Sequence, residues 1–140
     1  MLSISYAALE DKQHVCSYAH FSESEFELKV RDKRCYMLHF NKDIVGTMVF
    51  NLIFDFIPFL TMFYIDEPYR RKGFGRAAMA HWEDEMRSLG YKAIMISTQA
   101  DENGQHFYRK LGYKDMGSIV IGGILPYNQQ AIEIFMGKSL

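Results

Sequence analysis

The sequence predicts an α+β fold in which a mixed sheet, antiparallel at both ends and parallel in the middle, is covered by helices. Several apolar runs have the length of strands, and other runs repeat apolar residues three and four positions apart. A strand–helix–strand order near the centre is typical of a crossover between parallel strands. The 140 residues are expected to form one domain over residues 1–140, long enough to bury a sizeable core.

The first half of the chain is predicted to contain a strand, two helices and a hairpin. Ser22 and Glu25 have the spacing of a capping box, in which a hydroxyl and a carboxylate each bond a free N–H group at a helix start. A polar turn, Asn-Lys-Asp at residues 41–43, is typical of a hairpin. The predicted elements are a strand over residues 2–8, helices over 9–21 and Glu23–Arg31, and hairpin strands over Cys35–Phe40 and 44–54.

The second half is predicted to contain the crossover and two further strands. Residues 55–58 break the strand pattern, and apolar residues then recur along residues 76–89 as on one helix face, at Ala78, Trp82, Met86 and Leu89. Glycines that can end a helix follow both helical runs, at Gly90 and Gly112. The predicted elements are strands over residues 59–65, 91–98, 113–121 and 131–136, and helices over 76–89 and 102–111.

The composition excludes several classes of protein. Apolar residues make up 49% and charged residues 24%, which is typical of a globular chain rather than a disordered or membrane chain. A formal net charge of −1 gives no overall attraction to nucleic acid or to an anionic membrane. Cys16 and Cys35 fit neither a metal-ligand spacing nor a disulfide framework, so that we expect two reduced thiols and no metal. With no signal peptide at the start, a cytoplasmic protein is expected.

One short basic segment indicates a ligand. Residues 70–76 read Arg-Arg-Lys-Gly-Phe-Gly-Arg and lie between a predicted strand and a predicted helix. The first N–H groups of a helix have no partner within it, and glycine lets a ligand approach the backbone closely. Four cationic side chains add charge of the right sign. The segment therefore predicts a site for a phosphorylated ligand at the helix start.

Two common nucleotide folds do not fit this segment. Gly73, Gly75 and Ala78 satisfy the dinucleotide-binding pattern, but that fold requires the glycines directly after a strand and an acidic residue about 20 positions on. Here residues 66–72 intervene, and residues 94–98 carry no acid. A Walker phosphate loop is excluded because no Gly-Lys-Ser/Thr sequence is present in the segment.

A second motif, together with the first, resembles a known family. Residues 107–113 read Phe-Tyr-Arg-Lys-Leu-Gly-Tyr, and Arg70, Gly73 and Gly75 have the spacing Arg-x-x-Gly-x-Gly. The chain thus resembles the GCN5-related N-acetyltransferases (GNAT family), whose two signatures these are. The resemblance implies a GNAT-type acyl-CoA N-acyltransferase fold, with six or seven strands, about four helices, and central parallel strands splayed around the cofactor.

The resemblance also implies where acetyl-CoA binds. The backbone of the strand before the loop would meet the pantetheine arm, the loop would wrap the pyrophosphate, and Asp101 occupies a position where the family often has an asparagine that contacts the cofactor. The residues implied are Phe63, Tyr64, Ile65, Arg70, Arg71, Lys72, Gly73, Phe74, Gly75, Arg76, Asp101 and Tyr108.

Tyr108 takes the position at which the family commonly has a general acid for the departing thiolate. Reference pKa values are ~10 for tyrosine and ~8.5 for a thiol, so that full proton transfer is uphill by ~2 kcal/mol. We therefore expect Tyr108 mainly to donate a hydrogen bond to the developing thiolate. The alternative is a core tyrosine packed against the sheet.

The sequence does not identify the group that accepts a proton from the amine. A lysine-like amine has a pKa of ~10.4, and its deprotonation at pH 7 costs about 4.6 kcal/mol. In N-terminal peptide acetyltransferases of the family a glutamate often lies on the strand predicted here over residues 91–98, whereas this chain has Ile96 at about that place. Asp55, just before the cofactor strand, is the candidate base or acceptor contact, although an aspartate there also suits a turn.

These observations predict an enzyme that transfers acetyl from acetyl-CoA to a primary amine by direct attack in a ternary complex. Neither cysteine lies in the two motifs, so that nothing suggests a covalent intermediate. The alternatives are a non-catalytic acyl-CoA sensor and a peptide N-terminal acetyltransferase. The acceptor is a small molecule or a peptide amine, and aromatic residues at 54, 56 and 59 suggest a partly apolar acceptor site. The segment over residues 122–130 and the last strand could pair with a second copy in a homodimer.

Overall fold

The computed structural model describes residues 1–18, 21–123 and 131–140. Within these ranges, seven strands form one mixed sheet in the order β1-β2-β3-β4-β5-β7-β6, with four helices. The strands are β1 (Leu2–Tyr6), β2 (Cys35–Phe40), β3 (Asp43–Ile53), β4 (Ile57–Ile65), β5 (Ala93–Gln99), β6 (Lys114–Val120) and β7 (Ile132–Ser139). The helices are α1 (Lys12–Tyr18), α2 (Glu23–Arg31), α3 (Phe74–Ser88) and α4 (Gly104–Lys110), and short 3₁₀ turns cover Leu9–Asp11 and Glu67–Tyr69. The predicted mixed α+β fold is confirmed.

The chain divides into two compact units. The first contains Met1–Asn51 and Leu60–Glu85, and the second contains Leu52–Phe59 and Met86–Leu140. In the first unit, β2 pairs antiparallel with both β1 and β3. In the second unit, β7 pairs antiparallel with both β5 and β6.

The first unit has an apolar core on which α2 packs. Val15, Phe26, Cys35, Met37 and Val49 are buried together there. The helix α2 has the predicted bounds, and the Ser22 hydroxyl accepts a hydrogen bond from the Glu25 N–H at 3.2 Å. The serine half of the predicted capping box therefore forms and satisfies one of the free N–H groups of the helix start.

The helix α3 buries its apolar stripe as predicted, except at its end. Ala78, Trp82 and Met86 are fully buried, and the Trp82 ring lies 5.9 Å from that of Phe50. Leu89 was predicted to belong to this stripe, but the helix ends at Ser88 and 62% of Leu89 is exposed. The reason is the terminal turn, in which the Gly90 N–H bonds the Arg87 carbonyl and the Tyr91 N–H bonds the Met86 carbonyl.

Several predicted bounds were wrong by a few residues, each for a local reason. The first helix begins at Lys12 because a 3₁₀ turn precedes it, and its predicted residues 19–20 lie outside the described residues. The strand β4 begins at Ile57, two residues early, because Phe54 and Asp55 both adopt positive φ (55° and 68°) in a tight turn. Pro58 is accommodated near the strand start, where the missing N–H group is tolerated.

The second unit ends in the ladder formed by β5, β7 and β6. The strand β7 reaches Ser139, three residues beyond the predicted end, because it pairs along the whole of β5 up to Ala93 opposite Ser139. The helix α4 spans Gly104–Lys110, within the predicted 102–111. The turn after it contains Gly112 (φ 93°), and there the Tyr113 N–H bonds the Tyr108 carbonyl. Most of the predicted segment over residues 122–130 lies outside the described residues.

Candidate active site

The basic segment forms an exposed loop that leads into α3, which we call the anion loop (residues 70–76). Gly73 has φ 82° and its carbonyl accepts the Ala77 N–H at 3.1 Å, so that it is the last residue before the helix. The helix was predicted to begin at Arg76 but begins at Phe74. Gly75 therefore lies within the first turn, and the N–H groups of that turn have no acceptor within the helix.

Open space surrounds the glycine of the anion loop. A Cβ atom built on Gly73 would meet nothing within 4 Å. The preceding Arg71 also has a positive φ of 61°, which is uncommon for a residue with a side chain. The loop thus holds an unusual backbone conformation that leaves its amides accessible. A helix dipole contributes about 0.3–1 kcal/mol to anion binding at such a terminus.

The cationic side chains of the loop divide into two groups. Arg70 is engaged with the chain, because its Nε donates to the Ile65 carbonyl at 2.6 Å and its guanidinium lies 5.1 Å from the centre of the Tyr64 ring. Arg71, Lys72 and Arg76 are exposed. Arg70 therefore fixes the start of the loop, whereas the other three cations are accessible to an anion.

The aromatic residue of the loop anchors the start of the helix. Phe74 is half-buried, and its ring packs on Phe40 of β2 with centroids 5.0 Å apart. The side chain is directed into the first unit, so that Phe74 offers only its backbone to a ligand.

A polar cluster supports the chain just before the loop. The Tyr18 hydroxyl donates to Asp66 Oδ1 at 2.8 Å, lies 2.8 Å from His14 Nε2, and its ring stacks on Tyr64 at 4.4 Å. The Asp66 N–H in turn donates to the Val45 carbonyl of β3 at 2.8 Å. Burial and the Asp66 carboxylate raise the pKa of Tyr18, which therefore stays a hydrogen-bond donor. The helix α1 is thereby tied to the end of β4.

The predicted pantetheine strand is the end of β4, and two of its three carbonyls already have neighbours within the chain. A Cβ atom built on Gly46 would lie 2.3 Å from the Tyr64 carbonyl oxygen, so that only glycine fits opposite it in β3. The Ile65 carbonyl accepts from Arg70.

Tyr108 lies on α4 in the second unit and is 9% exposed. Gly104 separates it from Thr98 of β5: a Cβ atom on Gly104 would lie 2.8 Å from Thr98 Oγ1 and 3.8 Å from Tyr108 Cε2. The ring also contacts Tyr113 edge-on at 5.7 Å. Within residues 1–18, 21–123 and 131–140, no group forms a hydrogen bond with the Tyr108 hydroxyl.

The environment of Tyr108 favours its neutral form. Burial raises the pKa of the phenol above its ordinary value of 10, and the Glu102 carboxylate adds to the effect. A phenol with a raised pKa donates a hydrogen bond but gives up its proton less readily. The role of Tyr108 as a hydrogen-bond donor to a thiolate stays a prediction.

The two predicted aspartates are both exposed in the second unit. Asp101 lies between β5 and α4, in the turn where the Glu102 N–H bonds the Gln99 carbonyl. Asp55 lies in the turn between β3 and β4 with φ 68°, a conformation that aspartate tolerates. Of the aromatic residues predicted near an acceptor site, Phe54 and Phe56 are exposed in the same turn, and Phe59 stacks on Phe135 at 5.7 Å.

Sequence reasoning missed one carboxylate in the second unit. Glu133 is half-buried on β7, opposite Gln99 of β5. The Ser97 hydroxyl donates to its side chain, yet burial and the Glu102 carboxylate leave the pKa of Glu133 raised. The available signal was a single charged residue between isoleucines in an apolar strand, Ile-Glu-Ile-Phe at residues 132–135.

A match to a family model decides the family. The description of the model is Acetyltransferase (GNAT) family, and the match covers residues 3–113. The chain belongs to the GNAT acetyltransferase family. This GNAT chain matches no curated protein significantly. In the described residues no group of three or more His, Cys, Asp or Glu side chains could hold a metal, and no helix there is long and apolar enough to cross a membrane.

Solved structures show the same fold. The ribosomal-protein-S18-alanine N-acetyltransferase from Escherichia coli is 22% identical with a TM-score of 0.78, covering 99% of this chain and 94% of its own. The Arabidopsis thaliana Naa50, in complex with the bisubstrate analogue CoA-Ac-MVNAL, is 13% identical with a TM-score of 0.82 and covers 99% of both chains. The IAA acetyltransferase from Bacillus cereus is 16% identical with a TM-score of 0.80 and covers 100% of both chains. The predicted GNAT-type fold is thereby confirmed.

Proposed function

We propose that the chain is an N-acetyltransferase that transfers an acetyl group from acetyl-CoA to a primary amine by direct attack in a ternary complex. The anion loop carries this proposal, because open Gly73, the first-turn amides of α3 and three exposed cations fit a diphosphate. Membership of the GNAT family supports an acyl-CoA as the donor. The family match over residues 3–113 includes parts of both compact units, and a single domain over residues 1–140 stays a prediction.

Side chains and backbone groups would make different kinds of contact with the cofactor. Arg71, Lys72 and Arg76 would supply charge to the diphosphate, and the amides of the loop, through Phe74 and Gly75, would supply hydrogen bonds. Arg70 would act indirectly, by holding the loop on the Ile65 carbonyl. The pantetheine arm would meet backbone groups of Phe63, Tyr64 and Ile65 at the end of β4. Asp101, exposed in the turn before α4, stays a predicted contact.

Direct attack is supported by the state of the cysteines. Burial raises the pKa of the Cys35 thiol to about 11, so that it is not a thiolate at neutral pH. Cys16 is half-buried among the core residues of the first unit.

Tyr108 would donate a hydrogen bond to the coenzyme thiolate as the C–S bond breaks. The role of Asp55 as base or acceptor contact stays a prediction beside its turn conformation.

Two alternative functions are distinguished by their acceptors. A sensor would bind acetyl-CoA and consume no thioester with any amine. A peptide N-terminal acetyltransferase would acetylate short peptides but not free polyamines; two of the structural neighbours carry a protein or peptide acceptor in their names. The identities of 22% and 13% show the fold alone, so that both small amines and peptides belong in the panel. A homodimer and a cytoplasmic location stay predictions.

The first experiment is calorimetry with coenzyme A and with pantetheine, which lacks the diphosphate. The proposal expects binding of the coenzyme and much weaker binding of pantetheine. Lys72→Ala and Arg76→Ala should each weaken coenzyme binding about tenfold, whereas Lys42→Ala, an exposed turn lysine, should not. No binding of the coenzyme at millimolar concentration would reject the cofactor site. Thiol release across amines and peptides then identifies the acceptor.

A further inference from the structure

Two carboxylates lie close to the start of the anion loop, and each is bound by a tyrosine hydroxyl. Asp66, the first residue after β4, accepts a hydrogen bond from Tyr18 of α1 at 2.8 Å. Asp43, the first residue of β3, accepts one from Tyr69 at 3.4 Å. A carboxylate near an anion site repels the ligand, and it can also pair with the cations that the ligand needs. Two such groups beside a cationic loop therefore require an explanation.

The loop cations lie near these acids but do not pair with them. Arg70 Nε donates at 2.6 Å to the carbonyl of the peptide unit directly before Asp66. Lys72 Nζ lies 6.0 Å from the centre of the Tyr69 ring, whose hydroxyl binds Asp43. Over the part of the chain that the structure describes, no carboxylate forms an ion pair with any cation of the loop. The acids are thus occupied by hydroxyls while the cations stay unpaired.

The surroundings of Tyr69 show that both acids act on one region. Partial burial, then the Asp43 carboxylate and, by a smaller amount, the Asp66 carboxylate raise the pKa of the Tyr69 phenol. Both negative charges therefore influence a side chain that Lys72 also approaches. If either carboxylate lost its hydroxyl partner, a cation of the loop would be a neighbouring group of opposite charge.

Tyr18 fixes the carboxylate of Asp66 rather than its backbone. The Asp66 N–H already donates to the Val45 carbonyl at 2.8 Å, so that β3 holds the main chain at this position without α1. The half-buried Tyr18 ring is held by stacking on Tyr64 at 4.4 Å, and its oxygen lies 2.8 Å from His14 Nε2. The contribution of the Tyr18 hydroxyl is therefore to set the direction of one charged side chain.

We propose that Tyr18 and Tyr69 are positioning residues of the anion loop. Their hydroxyls bind the two carboxylates, so that the loop cations stay unpaired and available to a diphosphate. This inference rests on the proposed function, because the diphosphate is that of coenzyme A. A hydrogen bond to a charged acceptor is strong, whereas an exposed ion pair contributes little, so that a hydroxyl can hold a carboxylate against a nearby cation. Without the hydroxyl, the carboxylate turns to Arg70 or Lys72, and the ligand has to displace it.

The test is calorimetry with coenzyme A on Tyr18→Phe and on the double variant Tyr18→Phe/Asp66→Asn. Tyr18→Phe should bind the coenzyme about 3- to 10-fold more weakly, which is the range of one hydrogen bond. The double variant should regain wild-type affinity, because no carboxylate is left to compete. Ser22→Ala is the matched control: it removes the hydroxyl that accepts from the Glu25 N–H at the start of α2, with a comparable loss of stability, and should bind as wild type does.

A second pair of variants applies the same comparison to the 3₁₀ turn before the loop. Tyr69→Phe loses a longer and weaker hydrogen bond, so that coenzyme affinity should fall by only about 2- to 3-fold. Adding Asp43→Asn to Tyr69→Phe should restore the affinity. This pair decides the inference if Tyr18→Phe does not fold.

The outcomes separate this inference from the proposed function. Equal weakening in Tyr18→Phe and in its double variant would show a packing role and overturn the inference. Wild-type affinity in either phenylalanine variant would overturn the role of that tyrosine, and all of these results leave the proposed function standing. A wild type that does not bind coenzyme A would overturn the proposed cofactor site and this inference together.

Discussion

Replacing Tyr108 by phenylalanine removes one oxygen atom from a packed site. The ring is 9% exposed and keeps its edge-on contact with Tyr113, so that phenylalanine fills the same space. Among residues 1–18, 21–123 and 131–140, the hydroxyl bonds no group, so that the substitution breaks no hydrogen bond within that part of the chain. We therefore expect the free energy of unfolding to change by less than about 0.5 kcal/mol.

The expected effect on catalysis follows from the charge on sulfur. A hydrogen bond to a charged group contributes about 1.5–3 kcal/mol, and this bond would form only as the thiolate develops. At about 1.4 kcal/mol per factor of ten, kcat should fall roughly 10- to 150-fold while coenzyme affinity stays the same. Because the pKa of Tyr108 is raised above 10, it stays protonated at pH 9 and produces no alkaline limb below that pH.

The assay is thiol release at saturating acetyl-CoA with wild type and Tyr108→Phe from pH 6 to pH 9. Urea unfolding of both proteins provides the stability control. A parallel loss of stability and kcat would show a packing role and would contradict the argument from the missing hydrogen bond. An alkaline limb between pH 8 and pH 9 that disappears in the variant would instead show proton transfer from a phenol of lowered pKa.

Three further predictions concern the scaffold. Gly46→Ala places a Cβ atom 2.3 Å from the Tyr64 carbonyl oxygen. Urea unfolding should therefore show a loss of stability of about 1–3 kcal/mol, and calorimetry should show weaker coenzyme binding. Wild-type values for both would contradict the predicted clash. Tyr18→Phe keeps the ring stacking and loses the hydrogen bond to Asp66. The stability measured in urea should therefore fall by about 1 kcal/mol. An unchanged stability would show that ring stacking alone stabilises this cluster. Burial raises the pKa of Tyr36, so that the unfolded state releases the phenol proton at lower pH than the folded state does. The free energy of unfolding should therefore fall as pH rises above about 10. Urea midpoints from pH 8 to pH 11 should decline less in Tyr36→Phe than in wild type, and equal declines would contradict the assignment of this pH dependence to Tyr36.

The features that sequence predicted best are those that depend on neighbouring residues. The bounds of α2 follow from Ser22 and from the apolar spacing, and the helix ends at Gly90 and Gly112 follow from a residue type that accepts positive φ. The anion loop is equally local, because its glycines and cations are adjacent in the chain. Such features need no knowledge of distant contacts, and one sequence was sufficient to find them.

The features that sequence missed depend on pairing between distant segments. Glu133 follows Ser97 by more than thirty residues, and only the register of β7 against β5 brings the two together. Gly46 lies within the predicted strand over residues 44–54, and only the fold brings the Tyr64 carbonyl against it. The early start of β4 depends on two residues with side chains that adopt positive φ, which no local pattern had indicated. Long-range pairing determines the first two of these features, whereas the start of β4 depends on a local turn of unusual backbone conformation.

The anion loop binds most tightly if its conformation exists before the ligand arrives. Fixing a backbone residue costs about 1–2 kcal/mol, so that ordering a flexible loop of several residues on binding would offset most of the gain from a diphosphate. Here Arg70 holds the loop start, Phe74 anchors the helix on Phe40, and Arg71 already has positive φ in the free chain. The entropic cost of ordering the loop is therefore met during protein folding. The exposed cations and the first-turn amides can then contribute to affinity with little further ordering on binding.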